Sequence, residues 1–168
     1  IRELNELTLG PLTVLIGANG AGKSNFISFF RLLNWMTFGP DQFQFFVGRV
    51  GGADALLHDG AAITPQIQAN LKFQIDAGTN EYALRLFHAA ADTLIFAEEK
   101  FRFSRKSAIT PANWHTLGAG HRETQLFSMA DEGNVVAKTI LTLLKNWKIY
   151  QFHDTSETAR IKQRQDIK

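Results

Sequence analysis

Gly17-Ala18-Asn19-Gly20-Ala21-Gly22-Lys23-Ser24 fits the pattern G-x-x-x-x-G-K-[ST] at every fixed position. Before it, Leu12-Thr13-Val14-Leu15-Ile16 is short, β-branched and apolar, which predicts a strand buried on both faces. After it, Asn25 to Met36 is long and apolar enough for a helix. Strand, glycine loop and helix together form the setting in which such a loop cradles phosphate. Gly17, Gly20 and Gly22 let the backbone approach a ligand closely, so that consecutive N–H groups converge on phosphate oxygens. The end of the loop opens the helix, whose unpaired N–H groups and positive dipole end favour the same charge. Lys23 then acts as a mobile point charge for the β- and γ-phosphates, and the Ser24 hydroxyl is the expected protein ligand to Mg²⁺. The predicted nucleotide site is therefore Gly17, Ala18, Asn19, Gly20, Ala21, Gly22, Lys23, Ser24 and Asn25. A plain glycine-rich turn would have no use for lysine and serine at those two places.

Outward from the loop, composition sets limits. A chain of 168 residues with 45% hydrophobic content can bury one core, so a single domain is expected. The absence of cysteine excludes disulfides and thiolate metal sites and fits a cytoplasmic setting. No apolar run approaches the ~20 residues of a membrane helix, so no membrane partner is expected. Up to Ala97 there are six basic and eight acidic residues, and from Glu98 onward twelve and eight. That excess in the second part permits a nucleic-acid contact and equally describes a solvated surface.

In the first part, Leu4 to Leu9 and Leu12 to Ile16 flank Gly10-Pro11, which predicts an antiparallel strand folding back beside the loop-bearing one. The helix from Ser24 carries Phe26, Ile27, Phe29, Phe30, Leu32, Leu33, Trp35 and Met36 nearly all round, a pattern for the interior. Gly39-Pro40 ends it. Phe43, Phe45 and Phe46 lie in an aromatic, glycine-broken stretch and either cover the core or approach a nucleotide base. Ala53 to Leu57 reads as one helical turn closed by Asp59-Gly60.

Strict alternation follows. Ile63 to Ile75 predicts a strand with one wet face, Ala77-Gly78-Thr79-Asn80 a turn, Tyr82, Leu84 and Leu86 a second strand, Ala91-Asp92 another turn, and Thr93 to about Arg105 a third strand. The result is an antiparallel meander laid against a phosphate-loop core, an α/β fold with α+β character. Ser104 to Asp131 reads as loops with a short strand at Glu123 to Ser128. Val136, Ile140, Leu143, Leu144 and Trp147 predict a helix beginning after Asp131 and Glu132. Lys148 to Phe152 predicts a strand, and 155–168 a flexible polar tail.

Hydrolysis needs a second buried strand ending in a carboxylate. Thr93 to Glu99 has roughly that shape, yet reads more naturally as a meander strand leaving the core, and Lys148 to Asp154 is broken by Gln151. No residue is assigned a catalytic role. His58, His88, His115, His121 and His153 show no zinc-site spacing. Arg160, Lys162, Arg164 and Lys168 read as a basic end.

Gly17 to Phe26 resembles the G-x-N-G-x-G-K-S-N form of the ABC-like ATPase heads of the SMC, RecF and OLD group, with which many bacterial AAA-type predicted ATPases belong. Gly51-Gly52-Ala53-Asp54-Ala55-Leu56-Leu57-His58 and Tyr150 to Ser156 resemble stretches common in those ATPases. The resemblance implies a first lobe that combines the phosphate-loop strand and helix with an antiparallel sheet, and ATP and Mg²⁺ as ligands. It further implies DNA repair, chromosome maintenance or phage defence as the process, with DNA and a second head as partners of the full-length protein. The family's L-S-x-G signature loop and Asp-Glu strand are not found here, and Leu117-Gly118-Ala119-Gly120 is a poor imitation of the former. The resemblance therefore implies that 1–168 is the amino-terminal lobe of a longer ATPase, with little turnover of its own and with Gln151 to Thr155 as the nearest candidate for the family's glutamine-containing, metal-sensing loop. Two alternatives stand beside it. One is a GTPase or small-molecule kinase, although no N-K-x-D-like motif is present; the other is an interaction module with a vestigial nucleotide site.

Overall fold

The alternation that runs from Gln66 to Arg105 builds a sheet, and helices from both ends of the chain cover one side of it. The computed structural model describes residues 3–18 and 21–149. In chain order these form α1 (Lys23–Met36), α2 (Gln42–Arg49), a 3₁₀ turn (Asp54–Leu56), β1 (Gln66–Ile75), β2 (Gly78–Ala89), β3 (Thr93–Arg105), β4 (His115–Gly118), α3 (Leu126–Asp131) and α4 (Val135–Lys145). The four strands lie in the order β1-β2-β3-β4, each antiparallel to its neighbour. The architecture is mixed α and β in two layers.

The meander follows the expected pattern with two shifts. β1 begins at Gln66 and not at Ile63, because Ile63 and Thr64 N–H both bond to Gly60 O in the preceding turn and Ile63 is left exposed. Ile75 pairs with Gly78, so Asp76-Ala77 is the turn, and Gly78, Thr79 and Asn80 belong to β2. A two-residue hairpin lets the ladder close earlier than a four-residue turn would, and glycine at 78 takes φ 155° where β2 begins. The β2–β3 turn falls at Ala91-Asp92 as expected, both left-handed at φ 59° and 51°. Arg85 pairs with Glu98 but Leu86 pairs with Phe96, so Ala97 is an extra residue in β3. That bulge resets the alternation: Leu94 and Phe96 point into the core before it, Glu99 and Phe101 after it.

The core gathers Leu32, Leu33 and Met36 of α1, Phe43, Phe46 and Val47 of α2, the inner rows of β2 and β3, Leu126 of α3, and Ala137, Ile140, Leu141 and Leu144 of α4. Phe43, Phe46 and Val47 stand at i, i+3 and i+4, which resolves the aromatic stretch: it is a helix, with Phe45 on its exposed side. Ser104 to Asp131 differs from expectation. Its strand is β4 at 115–118, and Glu123 to Ser128 instead ends in α3, because Leu126 is drawn into the core where β3 already has β4 on its edge. Asn134 caps α4, its side chain accepting from Ala137 N–H at 3.0 Å.

Two expectations at the amino end are overturned. Leu12 to Ile16 forms no strand and is exposed, with Leu12 at 85% and Ile16 at 89%. A buried strand needs ladder partners on both sides. Among the described residues the segment is not paired with either edge of the sheet, so neither that strand nor its hairpin with Leu4 to Leu9 forms, and Gly10 N–H bonds locally to Thr13 Oγ1 at 3.2 Å. Nor is α1 buried all round. Its first half rests on other rings, Phe26 on Phe30 at 4.8 Å and Phe30 on Trp147 at 4.8 Å, and Phe26, Ile27, Phe29 and Phe30 stay half-buried.

Among the described residues, no helix is long and apolar enough to cross a membrane. The expected strand beyond Lys148 and the tail 155–168 lie outside the described residues, apart from Lys148 and Ile149, which are not in a strand.

Candidate functional site

The phosphate-loop residues come together at the start of α1. Gly22 is its N-cap, left-handed at φ 82°, and no side chain caps the helix. Its first-turn amides, those of Lys23, Ser24 and Asn25 among them, therefore face out with the positive end of the helix dipole behind them. The bond from Phe26 N–H to Gly22 O, 3.0 Å, is the helix's first full turn, and Ala21 N–H to Ala18 O, 3.3 Å, closes the loop before it. Gly17 sits at φ 155°, a conformation that β-carbons resist, and a β-carbon there would lie in ordinary contact with Ala21 and Lys23, so the backbone angle and not crowding favours glycine.

Lys23 folds back over this loop. Its Nζ donates to Gly17 O at 2.5 Å and Ala18 O at 2.6 Å. An ammonium has three donors, so one remains for a ligand oxygen. The two carbonyls hold the charge over the loop instead of letting it sweep through solvent, which reduces the ordering cost on binding. Lys23 is half-buried, and Ser24 and Asn25 are exposed beside it. An uncapped helix end, a tethered ammonium and an accessible hydroxyl fit a phosphate chain and the metal that accompanies it. Asn19 and Gly20 lie outside the described residues, as do Gln151 to Thr155.

Other sequence candidates have different surroundings. Gly51 to His58 docks the β2–β3 turn: Asp92 Oδ1 accepts from Asp54 N–H at 2.9 Å and lies 3.1 Å from His88 Nε2, while Asp92 O accepts from Ala53 N–H at 2.9 Å. A β-carbon on Gly52 would sit 1.8 Å from Asp92 Oδ2, so glycine is needed for that approach. Thr93 to Glu99 lies within the antiparallel meander, away from a metal role. Leu117-Gly118 belongs to β4 and its turn.

Sequence reasoning missed a buried polar node behind α1. Glu99, 0% exposed, accepts from Tyr82 OH at 2.6 Å, from Thr124 Oγ1 and from Gln125 N–H at 3.0 Å. Tyr82 OH also lies 3.9 Å from Met36 Sδ, which connects the node to the helix that carries the loop. Burial raises the Glu99 carboxyl above its ordinary range, and the bonds from Thr124, Tyr82 and Gln125 and the nearby His121 offset part of that. Burial likewise pushes the Tyr82 phenol up, with the Glu99 charge adding to it, so it stays a donor. His121 stacks on Phe96 with centroids 4.8 Å apart; its Nδ1 lies 2.9 Å from Glu123 O, an acceptor, so that nitrogen carries the proton. The tandem Glu98-Glu99 was the one signal in the sequence, and the bulge at Ala97 hid which of the two turns inward.

Glu123 does related work for α2. Its carboxylate accepts from Phe43 N–H at 3.3 Å and Gln44 N–H at 2.9 Å, capping a helix whose own N-cap, Asp41, makes no side-chain bond. Glu123→Ala is expected to lower stability by about 1–2 kcal/mol, read from urea unfolding, with the m-value unchanged.

The family described as "AAA domain, putative AbiEii toxin, Type IV TA system" matches residues 12–112, more than half of the chain. The chain belongs to this AAA-domain family. Membership brings an ATPase-like nucleotide-binding function, with ATP and Mg²⁺ as the ligands it implies. The matched span covers the loop, α1, α2 and the three long strands of the AAA domain. No curated protein and no solved structure matches the chain.

Proposed function

We propose that this chain binds ATP with Mg²⁺ through the loop Gly17 to Ser24 and Asn25, as the first lobe of an ATPase head of the SMC, RecF and OLD group. The observation that supports the reading best is Lys23, its ammonium tethered by Gly17 O and Ala18 O at the uncapped end of α1. In this reading the first-turn amides hold the β-phosphate, the third donor of Lys23 takes a γ-phosphate oxygen, and Ser24 supplies one oxygen to a largely hydrated Mg²⁺. Residues 1–168 then form one partial head domain. Turnover requires a carboxylate strand and a facing signature loop, which the described residues do not provide, so the chain binds without appreciable hydrolysis. Two heads closing on ATP, and work on DNA in repair, chromosome maintenance or phage defence, are the processes to which such a lobe would contribute.

Calorimetric titration tests the site. ATP with Mg²⁺ is expected to bind, and Lys23→Ala to weaken it by about 3 kcal/mol, ~100-fold in Kd. A preference for guanine nucleotides would point instead to a GTPase. Absence of any nucleotide binding would leave an interaction module.

A further inference from the structure

We propose that the outer edge of β1 is a homodimer interface, in which β1 pairs antiparallel with β1 of a second copy about a two-fold axis at Asn70. β1 is an edge strand of ten residues, and its ladder with β2 runs from Gln66–Phe87 to Ile75–Gly78 without a bulge, whereas the β2–β3 and β3–β4 ladders both shift. Natural edges are blunted by charge, proline, bulges or a covering segment. Here Lys72 is the only charged residue in the strand, Pro65 stands just outside it, and among the described residues no strand pairs with its outer side. Pro65 O accepts from His88 N–H at 2.9 Å, so in this ladder the odd-numbered residues bond to β2. The N–H and C=O groups of Gln66, Gln68, Asn70, Lys72 and Gln74 are therefore the ones directed outward.

Self-pairing about Asn70 satisfies those groups and matches both faces. On the wet face Gln66 meets Gln74, Gln68 meets Lys72, and Asn70 meets its own copy, so amide faces amide and no ammonium opposes another. On the inner face Ile67 meets Phe73 and Ala69 meets Leu71. These four are half-buried against the core and open on the edge side, and a second copy would extend their row. The contact is isologous and closes at two copies. One strand pair lies at or below the low end of interface sizes, about 1,200 Å², so a Kd in the micromolar range or weaker is expected. Nucleotide plays no part in it, which separates it from any pairing of heads over ATP.

Sedimentation of the 168-residue chain over about a hundredfold concentration range without nucleotide is expected to show a reversible monomer–dimer equilibrium. Asn70→Lys sets two ammonium groups opposite each other at an exposed position and should weaken the dimer at least ~10-fold while circular dichroism stays unchanged. The chain has no cysteine, so single thiols report the register. With a short bis-maleimide, Asn70→Cys should link two copies efficiently. Gln66→Cys should not, because its copy lies eight residues further along the pair, ~27 Å away. A monomer at every concentration, a dimer that needs ATP, a dimer indifferent to Asn70→Lys, or equal linking at 66 and 70 would each overturn the proposal.

Discussion

Glu99→Ala is expected to lower the unfolding free energy by about 3–5 kcal/mol, read from urea unfolding, since three buried donors each lose an acceptor at about 1–3 kcal/mol apiece. The reason is what remains behind. Tyr82 OH, Thr124 Oγ1 and the Gln125 N–H would each lose an acceptor in a place water does not reach, since Glu99 is 0% and Thr124 4% exposed. Glu99→Gln keeps one carbonyl oxygen for Tyr82 and Thr124 and presents an amide nitrogen near His121 Nε2, which lies 3.5 Å from the carboxylate, but that nitrogen replaces the acceptor of Gln125 N–H, so the variant should cost less than alanine while still destabilising. The pair of variants also tests the titration. Burial raises the Glu99 carboxyl from its ordinary 4.5, so the folded chain holds that proton more tightly than the unfolded one. The stability it contributes is full below about pH 4.5 and is lost as pH rises through the raised folded value. Glu123, also raised by burial, slopes the same way and persists in the variant. Urea midpoints from pH 4 upward should therefore fall more gently for Glu99→Gln than for the parent. An equal slope would mean that Glu99 does not titrate differently in the two states.

Gly78→Ala is the second large effect, at about 2–4 kcal/mol. A β-carbon there would stand 2.1 Å from Ser104 O and 2.9 Å from Arg105 Cα, both backbone atoms of the neighbouring strand that cannot swing aside. The backbone also sits at φ 155°, which an L side chain adopts with strain. The ends of β2 and β3 must part to admit the methyl group, so amide exchange should quicken in 78–82 and 101–105 before elsewhere. Gly48→Ala is the control. Nothing lies within 4 Å of a β-carbon at that helical position, and the loss of unfolded-state freedom should make it neutral or slightly stabilising. Thermal melts should separate the two by roughly 6–12 °C.

The strands were legible because each carries its own period. From Gln66 to Ile75 one face is wet and the other packed, and the half-buried and exposed residues alternate in the structure as the sequence does. The same holds for the apolar spacing of α4, but not for its start: Asp131 and Glu132 end α3, and the cap is Asn134. The phosphate loop was equally plain, since eight consecutive residues bring the glycines, lysine and serine together without help from elsewhere. What was not legible depends on partners distant in sequence. Phe43, Phe46 and Val47 had helical spacing too short to stand out, and it took Glu123, 79 or 80 residues away, to cap that helix. Glu99 turned inward only because Ala97 bulges against β2: the inward apolar positions pass from even numbers (Leu94, Phe96) to odd (Phe101), but that change of phase does not say which residue between them is the extra one.

By itself the sequence determined the antiparallel meander, the amphipathic carboxyl helix and the phosphate-loop motif, because backbone periodicity and glycine freedom act over a few residues. Tertiary structure alone decided that Leu12 to Ile16 has no ladder and that Glu99 is the buried node. Those outcomes turn on which donors and acceptors meet across the fold. A strand without a neighbour stays exposed however apolar it is, and an acid surrounded by donors stays inside however costly its burial.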